Sequence, residues 1–466
     1  MKKLILPLLT AAILFSCNDD IDDNLRPATT LEISEFIYRG LNFWSLYKED
    51  VPDLANDRFA SDADRTEFLS QFDSPEETFD ALLSFQDRFS ILRSDFVELE
   101  NALAGVRTST GMRFSILEDP NNPSNLFGVV RFVFNDSPAQ TAGVQRGMLF
   151  TAVNGVDLTT SSDLTAIFGQ AAYTINLADY DGVNFTLNGT SIDLTQVELN
   201  INPVHTVRTI DVEGEQVGYL HYTGFTNEFD PQLNAAFGEF QAAGITDLIL
   251  DLRYNGGGSI ETANDLSSMI TGQFNNEVFI TQAYNADRNP EFQTDRNFNN
   301  QIGNGSAINS LGLTRVFVLT TSSTASASEL ILSGLDPYIE VVQIGTNTSG
   351  KFEGSFLLYD APAPNFSRSQ ANPNHRYVML PLVLRSINAN GLTDYFDGFT
   401  PDIEIAEDFA NLGQLGFPGE PLFDIALEEI TQTRSAARQR ANKTQNRTSF
   451  ESDQNDPLYQ RMMLEE

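Results

Sequence analysis

Leu248-Ile249-Leu250-Asp251-Leu252-Arg253-Tyr254-Asn255-Gly256-Gly257-Gly258 is an apolar run that ends in a charged, glycine-rich turn. A short apolar run closed by turn residues reads as a strand buried on both faces. Three successive glycines permit backbone conformations closed to other residues and let another chain approach closely. The same stretch fits a plain strand-to-helix turn. A phosphate cradle fits poorly, because neither the G-x-x-x-x-G-K-[ST] nor the G-x-G-x-x-G spacing is present. Upstream, Val217-Gly218-Tyr219-Leu220-His221-Tyr222 reads as a strand, residues 230–243 as a helix and residues 245–250 as the next strand. That alternation predicts an α/β core with a mostly parallel sheet and crossover helices.

Downstream, Arg315-Val316-Phe317-Val318-Leu319-Thr320 is a further strand, and Thr324-Ala325-Ser326-Ala327-Ser328-Glu329 is a small-residue turn into a short apolar helix through Leu335. This puts Ser326 at a helix N-terminus, where backbone N–H groups favour a developing oxyanion. Val341-Val342-Gln343-Ile344-Gly345 reads as a buried strand, and Thr348-Ser349-Gly350-Lys351-Phe352 follows it, 25 residues beyond the serine. A serine hydroxyl needs a base to become a nucleophile, and a lysine can serve only when burial brings its pKa down from about 10.4. The chain's three histidines, His205, His221 and His375, lie in no recognisable triad motif, and His221 reads as a packed core residue. A serine–lysine pair is therefore the economical arrangement. Each motif alone has a plainer reading: Ser326-x-x-Glu329 matches a helix capping box, and most lysines are solvated surface charges.

Taken together and in order, the three segments resemble the carboxyl-terminal processing (tail-specific) serine proteases. That family carries an Asp-Leu-Arg-x-Asn-x-Gly-Gly turn, a Ser-Ala-Ser-Glu segment and a Gly-Lys 25 residues after the serine. The resemblance implies Ser326 as nucleophile and Lys351 as general base, with an oxyanion hole from the amides of Ala327 and Gly257. It implies no cofactor and no metal. One position departs from the pattern: many members place a glutamine four residues after the lysine, and here Ser355 stands there. Ser355, Glu353 and Glu329 all remain open as the residue that orients the base.

Residues 136–155 resemble the short helix, turn and strand inside PDZ domains. Ser137-Pro138 opens a helix, Gly143 closes it, Gly147 turns the chain, and an apolar run to Val153 precedes the Asn154-Gly155 turn. PDZ-type modules bind an extended peptide by strand addition and capture its terminal carboxylate on backbone N–H groups. The resemblance points that role to Gly111, Met112, Arg113 and Phe114, with residues 119–125 reading as an insertion. A PDZ fold kept as a rigid spacer is the alternative.

The N-terminus bears on location. Met1-Lys2-Lys3 is a short basic region, residues 4–15 are an apolar stretch too short to span a bilayer, and Leu14-Phe15-Ser16-Cys17 resembles a bacterial lipoprotein signal-peptidase box. The expectation is a signal peptide over 1–16, lipidation of Cys17 and an acidic tether over 17–27. This would anchor the protein in a bacterial cell envelope, on the periplasmic or outer-membrane face or at the cell surface. Cys17 is the only cysteine in the chain, so no internal disulfide can form.

The 466 residues suggest about three domains. A formal net charge of −36 argues against nucleic acid and against electrostatic attraction to anionic membranes. Helical spacing over residues 33–48 and a proline-led capping box at Ser74-Pro75-Glu76-Glu77 predict a small helical domain over 28–104. A PDZ-like domain over 105–203 and the protease core over 204–430 follow. Residues 273–309, polar and without periodicity, read as an insertion near the site. Residues 431–466 read as a polar, disordered or frayed tail. Two functions follow from these readings. One is a lipid-anchored serine endopeptidase acting on unfolded or C-terminally exposed polypeptides. The other is a catalytically silent peptide-binding lipoprotein or adaptor that retains the fold.

Overall fold

The structure is a computed structural model that describes residues 26–431 and 447–464. The leader, Cys17, most of the acidic tether and the basic stretch 432–446 lie outside the described residues.

A six-stranded sheet forms the centre. Its order is Val204–Val212, Glu215–Tyr222, Asp247–Asp251, Arg315–Thr320, Glu340–Gly345 and Ile403–Glu404. The first two strands pair antiparallel and the rest parallel. The apolar runs are continuous because both faces are covered. Leu248, Leu250, Val316 and Val318 pack on one side with Phe237, Leu266 and Leu330 from the helices Asp230–Ala243, Ile260–Ile270 and Ala327–Leu335. Ile249, Phe317 and Leu319 point to the other side, against Leu422, Phe423 and Ala426 of the helix Pro421–Thr431. This is the period-two alternation of a strand, made apolar at every position by helices above and below.

Parallel pairing sets where the motifs meet. Asp251 lies opposite Leu319, and Thr320 opposite Gly345. The segments that leave these three neighbouring strands at their carboxyl ends therefore start side by side. They are the glycine turn, the Ser326 turn and the Lys351 segment.

The N-terminal helices are part of this core. Thr30–Trp44 begins with a capping box between Thr29 and Glu32 and buries Phe36, Ile37, Leu41 and Trp44. Trp44 lies edge-on to Phe292 and Phe356, with ring centroids 4.9 and 5.0 Å apart, and its indole N–H donates to the Pro364 carbonyl at 2.9 Å. Burial of each such side chain contributes about 1.5–3 kcal/mol. Among the described residues no helix is long and apolar enough to cross a membrane.

A separate β-rich sheet runs through residues 112–195, in the order Met112–Asp119, Asn122–Val133, Leu149–Val153, Ala172–Tyr180 and Phe185–Thr195. The short helices Pro138–Thr141 and Leu164–Phe168 accompany it. The ladder between Val106–Ser109 and Val197–Asn200 closes its base. Residues 119–125, read as an insertion, form the tight end of the hairpin in which Asp119 pairs with Asn122.

Two expectations need correction. Residues 273–309 are not an irregular insertion: Val278–Tyr284 is an inner strand of a second six-stranded sheet, paired with Leu382–Asn388 and Thr294–Asn297. Its Phe279 and Ile280 are fully buried, and the polar residues around them masked that apolar core from periodicity. The described part of the tail is not frayed either. Thr448–Glu451 adds to the edge strand Met112–Asp119, and Met462–Met463 pairs with Gly258–Ser259.

Arg253, fully buried, ties the central sheet to its surroundings. Its guanidinium forms a two-pronged pair with Asp251 at 3.0 and 2.6 Å and reaches Glu420 at 2.7 Å and Glu407 at 3.2 Å. Glu407 also accepts from Arg146 of the β-rich region at 2.9 Å. The surrounding guanidinium groups outweigh burial and hold the Glu407 carboxyl down at about 2. Truncation of Arg253 would strand buried carboxylates without a counter-charge. Arg253→Leu should lower the free energy of unfolding by about 3–5 kcal/mol, read as a shift in the urea midpoint with an unchanged slope.

Candidate functional site

Ser326 begins the helix Ala327–Leu335 with φ 65° and ψ −119°, a backbone region that costs a non-glycine residue about 1–3 kcal/mol. The residue is fully buried, and among the described residues its hydroxyl has no hydrogen-bond partner. Half of the capping box exists: the Ser326 amide donates to Glu329 Oε2 at 2.8 Å, while the hydroxyl is left over.

Glu329 holds the two turns together. Oε2 also accepts the Lys351 amide at 2.8 Å, and Oε1 accepts the Gly350 amide at 2.7 Å and the Thr348 hydroxyl at 2.6 Å. One carboxylate oxygen therefore takes an amide from each motif. Burial pushes the Glu329 carboxyl up, and these four hydrogen bonds oppose the rise. Further stitches run from the Ala325 amide to the Asn255 carbonyl at 3.2 Å, from the Thr324 hydroxyl to the Leu252 carbonyl at 2.8 Å and from the Ser349 amide to the Thr324 carbonyl at 3.0 Å.

Lys351 is fully buried, and among the described residues its Nζ has no hydrogen-bond partner. Nζ stands 4.4 Å from the centroid of the Phe89 ring. Burial drives its pKa well below the ordinary lysine value, with the positive charge of Arg461 adding to the drop and Glu353, Asp87 and Glu329 opposing it. Glu353 is buried as well, accepts the Tyr47 hydroxyl at 2.5 Å and has its pKa raised by burial. Burial thus moves both groups of this pair toward their neutral forms. The Ser355 hydroxyl is buried and without a partner among the described residues.

The glycine turn lies against the serine. A β-carbon built on Gly257, whose φ is 110°, would come within 2.6 Å of Ser326 Cβ and 2.8 Å of its Oγ, so this approach requires glycine. The Gly257 amide, expected as an oxyanion donor, is engaged by Asn255 Oδ1 at 2.9 Å. The neighbouring Gly258 amide instead donates to a peptide carbonyl, that of Arg461, at 2.8 Å. The loop named for carboxylate capture is also internally engaged: the Gly111 amide meets Ser109 Oγ at 3.0 Å and the Met112 amide meets Thr110 Oγ1 at 3.3 Å. Arg113 pairs with Asp453 at 3.0 Å, and the Phe114 amide donates to Ser452 Oγ at 3.1 Å.

Several contributors left no local signal in the sequence. Tyr47 and Phe89 come from the N-terminal helical region, and Arg88 Nη2 holds the Gly350 carbonyl at 2.5 Å. Asn255 fixes the turn by donating to the Tyr222 carbonyl at 3.0 Å while accepting from Gly257. His221 is the core residue expected: buried, 3.0 Å from His205 through their Nδ1 atoms, and pushed well down in pKa by burial.

An unpartnered hydroxyl on a strained turn and a buried, unpartnered amine thus stand on two turns held by one carboxylate, and these are group types on which base-activated nucleophilic chemistry is built. Known proteins share the framework. Residues 216–358 match peptidase family S41, and residues 32–91 match the peptidase S41 N-terminal domain. The chain thus carries two segments, in this order along it, that match the N-terminal domain and the peptidase domain of that family.

Among relatives, the carboxyl-terminal-processing protease of Picosynechococcus sp. is 22% identical over 65% of this chain and 66% of its own length. The chloroplastic C-terminal processing peptidase of Tetradesmus obliquus is 26% identical over 60% of each. The chain thus spans somewhat under two thirds of these relatives' own lengths. A crystal structure of a candidate S41 protease from Bacteroides fragilis NCTC 9343 superposes with a TM-score of 0.68 at 25% identity, over 86% of this chain and 98% of that one.

Glu329→Gln tests the bridge. The amide replaces an acceptor oxygen with a donor that faces backbone N–H groups, which should cost about 2–3 kcal/mol of stability. Thermal unfolding followed by circular dichroism checks this, and an unchanged midpoint would contradict the bridging role.

Proposed function

We propose that this chain is a serine-type endopeptidase that cleaves unfolded or C-terminally exposed polypeptides through an acyl-enzyme. The observation that carries the reading is that two buried, unpartnered groups, Ser326 Oγ and Lys351 Nζ, stand on turns whose amides share Glu329 Oε2. Lys351, neutral through burial, takes the hydroxyl proton as Ser326 Oγ attacks the scissile carbonyl, and then delivers that proton to the leaving amine. Water, deprotonated by the same lysine, hydrolyses the ester. The Ala327 amide at the helix start carries the developing oxyanion, joined by an amide of the Gly257–Gly258 turn once the carbonyl that now occupies it leaves. Glu329 positions both turns, and Glu353 with Tyr47 shapes the surroundings of the base.

The sheet of residues 112–195 acts in this reading as a PDZ-like module. Its edge strand, Met112–Asp119, now covered by Thr448–Glu451, stands beside the helix Leu164–Phe168, with the Phe114 and Phe168 rings 4.6 Å apart, the kind of edge to which a peptide adds as a strand. Cys17 anchors the protein by lipid in a bacterial envelope, on the periplasmic or outer-membrane face. The similarity to carboxyl-terminal-processing proteases supports peptide-bond cleavage.

Chain lacking residues 1–17 should digest casein, and Ser326→Ala or Lys351→Ala should reduce turnover by about 10³-fold or more. Retained turnover in both variants would remove the assignment. The sign of the pH effect follows from the base: only neutral lysine accepts the proton. Turnover should therefore rise with pH through the depressed Lys351 pKa and level off well before 10.5, the ordinary value. A profile flat from acid to alkaline pH would exclude lysine as the base.

A further inference from the structure

The described C-terminal segment lies along the full length of the site. Thr448 pairs with Leu117, Phe450 with Ile116 and Glu451 with Ser115, antiparallel to the strand Met112–Asp119 of the β-rich sheet, which this segment covers. Phe450, 3% exposed, fills the space beside the rings of Phe114 and Phe168, with the Phe168 centroid 5.5 Å away. The Ser452 amide then donates to the Phe114 carbonyl at 3.0 Å, so the segment runs toward the Gly111–Phe114 loop. A captured peptide end would stop there, but this segment continues. Asp453 pairs with Arg113 at 3.0 Å and Asp456 pairs with Arg107.

Leu458, Tyr459 and Leu464 then line a cleft of about 300 Å³ together with Gly256–Ser259. The Arg461 carbonyl accepts the Gly258 amide at 2.8 Å, and a β-carbon on Gly257 would lie 2.7 Å from that carbonyl and 2.8 Å from Ser326 Oγ. Met462 and Met463 pair with Gly258 and Ser259, and the Leu464 amide donates to the Ser355 carbonyl at 2.8 Å.

Two features describe how the segment is held, its Met462, fully buried, lying in the second sheet between Gly258–Ser259 and Glu353–Ser355. The Arg461 carbonyl takes a ladder bond from Gly258, the geometry of strand addition. Its side chain is also poorly compensated. Arg461 Nε is buried without a hydrogen-bond partner among the described residues, and burial, with Arg93 adding to it, lowers its pKa to about 10. Such a group is costly to keep in place.

We propose that residues 448–464 are an internal occupant of the substrate channel, and that Arg107 and Arg113 select incoming polypeptides bearing carboxylates where Asp453 and Asp456 now sit. This rests on the peptidase reading above. A polypeptide substrate displaces the segment by competing for the same edge, the same two arginines and the same strand position beside Gly258–Ser259. Acidic residues upstream of the bond to be cut favour that exchange.

The test uses the chain with the paired reversal Asp453→Arg and Asp456→Arg. In a Ser326→Ala background, hydrogen exchange should show protection lost over 448–464 and kept in the core strand Arg315–Thr320. Loss that spreads into that strand would mean the segment is an obligatory structural element, and would overturn the proposal. A labelled synthetic peptide of residues 447–464 should bind the reversed chain. The same peptide with Asp453→Ala and Asp456→Ala should bind about tenfold more weakly, and equal binding would overturn the role of the two arginines. Adding Arg107→Asp and Arg113→Asp to the reversed chain should restore protection of the segment. With Ser326 intact, the reversed tail should raise kcat/KM on casein by about tenfold, and an unchanged value would overturn the internal-occupant role. If no variant cleaves casein while exchange and peptide binding behave as expected, the peptidase reading falls and the channel with its occupant stands.

Discussion

A single buried cation, Arg253, joins the parts of this molecule. It sits two residues beyond the strand Asp247–Asp251 and gathers carboxylates from the sheet, from the 405–408 segment and from the approach to the last helix. Through Glu407 the network reaches Arg131 and Arg146 of the β-rich region. A guanidinium suits this place because its planar fork can satisfy several carboxylates at once. Burial makes the arrangement all-or-none: each charge is tolerable only while the others are present. The glycine turn starts immediately after it, so the position of that turn inherits the rigidity of the network.

A second buried carboxylate does for the site what Arg253 does for the fold. Glu329 takes hydrogen bonds from both turns and leaves the Ser326 hydroxyl and the Lys351 amine without partners. The local capping motif was thus real but asymmetric. Its glutamate half is built, and the serine half is released for other use. The strained φ of Ser326 and the tight approach of Gly257 follow from bringing three segments to one point.

Much of the core was legible because the signals are local. The helix Asp230–Ala243 has the bounds read from the sequence, and Arg315–Thr320 is the strand its apolar run announces. Reading failed where burial came from distant partners. Val278–Tyr284 looked irregular because its neighbours are polar, yet Leu382–Asn388 and the helix Ala327–Leu335 cover it. The tail looked disordered because it has little apolar content of its own. It gains order by borrowing a sheet edge, two arginines and a strand position beside Gly258–Ser259.

The sequence by itself determined the chemistry on offer: a serine on a helix-opening turn, a lysine after a buried strand, a glycine turn able to meet them, and their order along the chain. It could do so because each depends on residue type and short-range spacing. Only the tertiary structure decided the rest. It placed Phe89 and Tyr47 around the base, made Glu329 the shared anchor, engaged the Gly257 amide with Asn255 and laid the chain's own C-terminal segment across the site. Those outcomes depend on burial and on contacts between residues hundreds of positions apart, and burial is set by the packed whole rather than by any stretch of it.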